Sequence, residues 1–211
     1  MQNRVPNLDL FDMLWKIIES PRNAFRLIMR AEHKNYALFL YTLSGIAIAF
    51  TGFWHFKLGN RFENILFLIF SAILVGIFIG IALCPIVSFL HWGLSKYFGG
   101  KASFRYSLGM TSFSLVPIVS SLLFVLPIEL LTFGMYFFTF NPPPITIKPL
   151  SYLLLIGLDI ALVVWAWILL IIGTKLGNQI SLWKSLCISS LVFGFIVVGF
   201  LAAGEFVLKI F

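Results

Sequence analysis

Charge is what this chain has least of. Asp, Glu, Lys and Arg make up 11% of its 211 residues, against about 25% in a water-soluble domain. That shortage, beside a 60% hydrophobic content with 24 phenylalanines, excludes a soluble globular fold and implies an integral membrane protein. Cysteine is nearly absent too. Cys84 and Cys187 fall inside apolar runs, so both read as small buried hydrophobes rather than a disulfide framework. His33, His55 and His91 are too scattered for the ligand spacing of a zinc or iron site. A nucleophile elbow, a phosphate loop, a dinucleotide fingerprint and a catalytic dyad are all missing. These absences argue against an enzyme and against any cofactor or metal. The pI of 9.6 would suggest nucleic acid in a soluble protein. In a membrane protein the placement of the positive charges matters more, and no nucleic-acid partner is expected.

Apolar length, by contrast, is abundant. A helix needs roughly 20 apolar residues to cross a hydrocarbon core of about 30 Å. Five runs qualify: Tyr36–Trp54, Ile65–Trp92, Leu108–Phe138, Tyr152–Ile172 and Leu186–Val207. The second and third exceed a perpendicular crossing, which tilt or kinking can absorb. Pro117 and Pro127 in the third remove backbone donors and favour kinks. The expected fold is all-α, with five membrane spans. Residues 1–35 would form a cytoplasmic amphipathic segment and residues 36–211 the membrane domain. No cleavable signal peptide is expected, because charge runs throughout the segment ahead of the first span.

Positive charge sets the orientation. Arg4, Lys16, Arg22, Arg26, Arg30, Lys34, Lys96, Lys101, Arg105, Lys175 and Lys184 fall on one side of a five-span topology. Lys57, Arg61, Lys148 and Lys209 fall on the other. The positive-inside bias then places the N-terminus in the cytoplasm and the C-terminus outside. The stiff Asn141-Pro142-Pro143-Pro144 loop lies on the outer face.

Leu8, Phe11, Trp15 and Ile18, and again Leu10, Leu14 and Ile17, recur at helical spacing, with Asp9, Asp12, Lys16 and Glu19 between them. Ser20-Pro21 restarts the pattern as an N-cap and first helical residue. Arg22, Arg26, Arg30 and Lys34 then form one basic stripe beside Ala24, Phe25, Ile28 and Met29. Two short helices lying in the cytoplasmic interface, the second against anionic head groups, fit this pattern. The stripe serves topology and anchoring, or else docks a cytoplasmic or membrane protein partner.

The run His91-Trp92-Gly93-Leu94-Ser95-Lys96-Tyr97-Phe98-Gly99-Gly100-Lys101-Ala102-Ser103-Phe104-Arg105 resembles the loop after the second span in the Yip family of Ypt- or Rab-interacting membrane proteins. The serine-rich, proline-containing span that follows there looks like Leu108-Gly109-Met110-Thr111-Ser112-Phe113-Ser114-Leu115-Val116-Pro117 here. Ile18-Glu19-Ser20-Pro21-Arg22-Asn23-Ala24-Phe25 and the last loop, Leu176–Leu186, are also similar. The resemblance implies five spans. The short segment ahead of the first span is closer to bacterial members than to eukaryotic ones, whose long polar region is associated with Rab GTPases. It therefore implies a fold rather than an activity, in a bacterial cytoplasmic (inner) membrane.

The two loops also align with each other. Gly99, Ser103, Ser107 and Leu108 match Gly177, Ser181, Ser185 and Leu186 at an offset of 78. This suggests a parallel repeat of spans two and three against four and five. Gly99 and Gly100 would turn the chain, with Gly177 doing so in the second copy. Ser103 and Ser181 would cap the helices that follow. Lys101 and Arg105 would sit at head-group level, completing a tight hairpin or holding a lipid phosphate.

Asp159 and Glu129 are the exposed questions. A charged carboxylate inside a span costs about 2.5–3.5 kcal/mol on insertion scales. Such a residue faces the bundle interior and has a partner by default. The two acids form a cation- or proton-linked pair, or else a hydrogen-bonded structural acid bonds to a hydroxyl of span three. Ser107, Thr111, Ser114 and Ser121 supply such hydroxyls along one stripe, while Gly76–Gly80 and Gly45–Ala49 suit close helix contact. The expected function is non-enzymatic: organising membrane, or recruiting partners through the basic cytoplasmic face. The alternative is a small transporter or lipid-handling protein built around Asp159 and Glu129.

Overall fold

The computed structural model describes residues 10–31 and 36–210, and among them every regular element is helical. In chain order the helices are α1 Leu10–Glu19, α2 Pro21–Ala31, α3 Ala37–His55, α4 Ile65–Tyr97, α5 Phe104–Ser114, α6 Val116–Ser120, α7 Leu126–Phe133, α8 Pro144–Ile147, α9 Pro149–Asn178 and α10 Leu182–Ile210. Five segments are long and apolar enough to cross a membrane: Ala37–His55, Ile65–Tyr97, Phe104–Phe138, Pro149–Asn178 and Leu182–Leu201. Each reaches beyond its apolar run at one or both ends. Polar residues such as Ser95, Lys96, Arg105, Lys175 and Asn178 keep helical geometry there. Hydropathy stops where the oil stops, whereas the backbone continues to its cap.

Glycine brings α3 and α4 together. A Cβ on Gly45 would overlap the Gly80 nitrogen and the Gly76 carbonyl oxygen, so the two backbones touch. Hydrocarbon gives no hydrophobic drive between helices, and small residues permit the close van der Waals contact that replaces it. Gly173 of α9 is covered in the same way by Met110 and Phe25.

The third span is broken as its prolines require. α5 ends at Ser114 before Pro117, and a π-turn over Ser121–Val125 precedes α7, with Pro127 near its start. Proline has no N–H to donate and crowds the preceding turn, and a widened turn accommodates both. The third span closes through a 3₁₀ turn, Gly134–Phe138, against which Gly59 packs.

α1 and α2 are bound to the bundle. Met13, Ile17, Ala24, Phe25 and Ile28 are buried in the same core as Leu40, Met110 and Leu169. α1 keeps a second apolar face outward: Phe11 is 82% exposed, Trp15 68% and Ile18 57%. α1 and α2 thus form a packed layer across one end of the spans. Cys84 is buried, but Cys187 is exposed on α10, so the expectation that both cysteines are buried holds for one alone. A helix entirely surrounded by apolar positions hides which of its faces meets protein and which meets lipid.

Candidate functional site

Asp159 and Glu129 come together in the half of the bundle farther from α1 and α2. Asp159 stands on α9 between Leu158 and Ile160, both of which are exposed toward lipid. Its own side chain is half-buried, and Ser121 Oγ donates to Asp159 Oδ1 at 2.5 Å. Ser121 opens the π-turn, so the proline-induced break presents the hydroxyl that meets the acid. Glu129, on α7, is 2% exposed, and its Oε1 has no hydrogen-bond partner among the described residues. Both acids line a cavity of about 300 Å³ walled by α3, the third span and α9, with Trp54, Phe50 and Phe137 in its lining. A second cavity of about 200 Å³ adjoins it and shares Thr51, Ile118 and Val163.

Lys57, in the turn after α3, is already committed. Its Nζ lies 5.0 Å from the Trp54 ring centroid and donates to the Phe137 carbonyl at 3.4 Å. Burial pushes its ammonium below the usual lysine range.

At the opposite end, Arg22, Arg26, Lys101 and Arg105 are all exposed. The Arg30 side chain and Lys34 lie outside the described residues. Gly99 takes φ 84°, the turn only glycine adopts freely, and Gly100 N donates to Ser95 O at 2.7 Å. Ser103 caps α5 by accepting from Tyr106 N at 3.2 Å. Ser181 O accepts from Ser185 N at the start of α10.

Gly177 departs from expectation. It is helical within α9, pressed against the Tyr106 ring, and the left-handed turn falls instead on Gln179 at φ 54°. The second loop therefore has two residues from turn to cap position where the first has four, and a fixed offset cannot superpose both. Gly177 is there because Tyr106 needs the room; its hydroxyl donates to the Gly173 carbonyl at 2.9 Å.

Several polar contacts went unread in the sequence. Asn178 joins the two loops: its Oδ1 accepts from Ala102 N at 3.3 Å and its Nδ2 donates to Ser95 Oγ at 3.3 Å. Lys184 Nζ donates to the Phe98 carbonyl at 3.2 Å. Deeper in, Tyr41 donates to Thr111 Oγ1 at 2.8 Å, with Ser88 beside both. His91, dismissed as a scattered histidine, is fully buried with Nε2 2.9 Å from Thr174 Oγ1. Of the span-three stripe, Thr111 and Ser121 bridge helices, Ser114 bonds its own helix at Met110 O, and Ser107 Oγ has no partner. Polar residues at four-residue steps in adjoining spans were the available signal, but it shows no partners until the spans are paired.

The sequence model of the Yip1 domain matches residues 15–204, from within α1 to within α10. The chain belongs to the Yip1 domain family. No curated protein and no solved structure matches it. For this Yip1-domain protein, membership accounts for the five-span all-helical architecture and its place in a membrane. It assigns no role to the paired acids or to the basic end.

Proposed function

We propose that this Yip1-domain chain is a non-enzymatic membrane protein that organises bilayer or gathers partners at its basic end. The observation that carries this is the attachment of α1 and α2. Met13, Ile17, Phe25 and Ile28 anchor both helices to the bundle, leaving Arg22 and Arg26 outward beside Lys101 and Arg105. Phe11, Trp15 and Ile18 supply an apolar face suited to the head-group boundary. Basic side chains there attract anionic lipid at about 1 kcal/mol each. By the positive-inside bias this end faces the cytoplasm and the C-terminus lies outside. Reversal of Arg22, Arg26 and Arg30 to Glu tests the proposal. Loss of co-purifying anionic lipid or of a specific protein supports it; an unchanged set of both overturns it.

A second reading, transport or lipid handling, is favoured by one observation: the two intramembrane acids meet in a cavity. Asp159→Asn should then abolish a transport phenotype and leave capture at the basic end intact. Retention of transport would sink this reading.

A further inference from the structure

Three features of the acid cavity point to one kind of occupant. First, among the described residues no Lys or Arg lines either cavity, and Lys57 is held by Trp54 and Phe137. Two carboxyls on the wall of one cavity repel each other when charged, and a cationic group between them relieves that repulsion. Second, Glu129 Oε1 is buried, unpartnered and at the cavity wall. A buried acceptor without a donor costs roughly 1–3 kcal/mol, and a ligand N–H would satisfy it. Third, the neighbouring space is apolar. The second cavity continues past Thr51, Ile118 and Val163 to Leu83, Val192 and Ile196, a path suited to hydrocarbon rather than to a hydrated ion.

We infer that the two cavities together bind a single-chain lipophilic primary amine, its ammonium at Glu129 and Asp159 and its alkyl chain in the adjoining groove. The inference rests on the second reading above and names its ligand class. A primary ammonium offers three donors in a compact head, and Glu129 Oε1, Asp159 and Ser121 Oγ are three acceptors. A quaternary ammonium has no N–H and leaves Glu129 Oε1 unpaired. A phosphate-bearing lipid would set its anion against two carboxyls. An alcohol brings no charge.

The test uses the purified full-length chain in a non-ionic maltoside. Dodecylamine is titrated while the thermal unfolding midpoint is followed, against dodecanol, dodecyltrimethylammonium and lysophosphatidylethanolamine. Dodecylamine should raise the midpoint, and the other three should raise it far less. Glu129→Gln and Asp159→Asn should each weaken binding at least about tenfold, the loss of one charge-assisted hydrogen bond of roughly 1.5–3 kcal/mol. Val163→Trp, which closes the passage between the cavities, should weaken dodecylamine but spare butylamine. If a variant fails to fold, labelling of the wild type by a hydrophobic carbodiimide replaces it. Glu129 and Asp159 should react, and dodecylamine should protect them.

Equal stabilisation by dodecanol or the quaternary amine, or labelling that dodecylamine does not slow, overturns the inference. If dodecylamine does not bind but an Asp159→Asn-sensitive flux persists in vesicles, the ligand class fails and the transport reading stands. If both binding and flux are missing, inference and reading fall together.

Discussion

Gly45 of α3 lies directly against Gly80 of α4, with backbone meeting backbone and no room for a single methyl group. Gly76 sits one turn away and packs on Ile46. This glycine seam joins the first two spans, and a substitution there cannot be absorbed by a side-chain rotation.

Gly45→Leu and Gly80→Leu should therefore each separate the helices. Overpacking a tight contact costs roughly 1–3 kcal/mol, and a rigid backbone wall places these at the upper end. The thermal midpoint of the purified protein checks this. Gly157→Leu, where a Cβ meets nothing, is the control and should be near neutral.

The two turns should respond in opposite directions. Gln179 holds φ 54° and Gly99 φ 84°. A side chain in that region costs roughly 1–2 kcal/mol. Gln179→Gly should raise stability by about 1 kcal/mol, and Gly99→Ala should lower it by a similar amount. Equal and opposite midpoint shifts are the expected readout.

Tyr41, Ser88 and Thr111 should behave as one unit. Tyr41→Phe removes the donor to Thr111 Oγ1, and Thr111→Val removes its acceptor. Interhelical hydrogen bonds in lipid are worth about 0.6 kcal/mol. The double variant should lose less than the sum of the single ones, as a double-mutant cycle measures. Strict additivity would show that the hydroxyls do not couple.

Lys57 gives a pH dependence of defined sign. Burial lowers its folded-state pKa below 10.5, the ordinary value. Between the lowered value and 10.5 the unfolded chain holds more protons, so stability rises with pH in that window. The stability of wild type relative to Lys57→Met should be flat below the window and climb through it. A difference that falls with rising pH would contradict this.

Much of the architecture was legible in the chain. Apolar runs marked the five spans, and Pro117 and Pro127 marked the break in the third. Gly99 and Ser103 marked a capped turn, because a positive φ and an N-cap are local demands of the backbone. The two acids also stood out at once, since any carboxylate is costly in hydrocarbon.

Which groups they meet did not, because that depends on helices that are distant in sequence. The sequence left Asp159 with either Glu129 or a span-three hydroxyl as its partner. Only the packing of α6 and the π-turn against α9, which presents Ser121 to Asp159, brought them to one cavity. Gly177 shows the same limit: a loop glycine by alignment, it proved to be the space that Tyr106 fills. His91 and Asn178 looked unremarkable until their partners arrived from another span. The chain alone decided what must lie in the membrane, because burial in lipid is a property of each segment by itself. The tertiary structure decided which polar groups meet, because the apolar faces of these helices look alike to lipid and differ only in what packs against them.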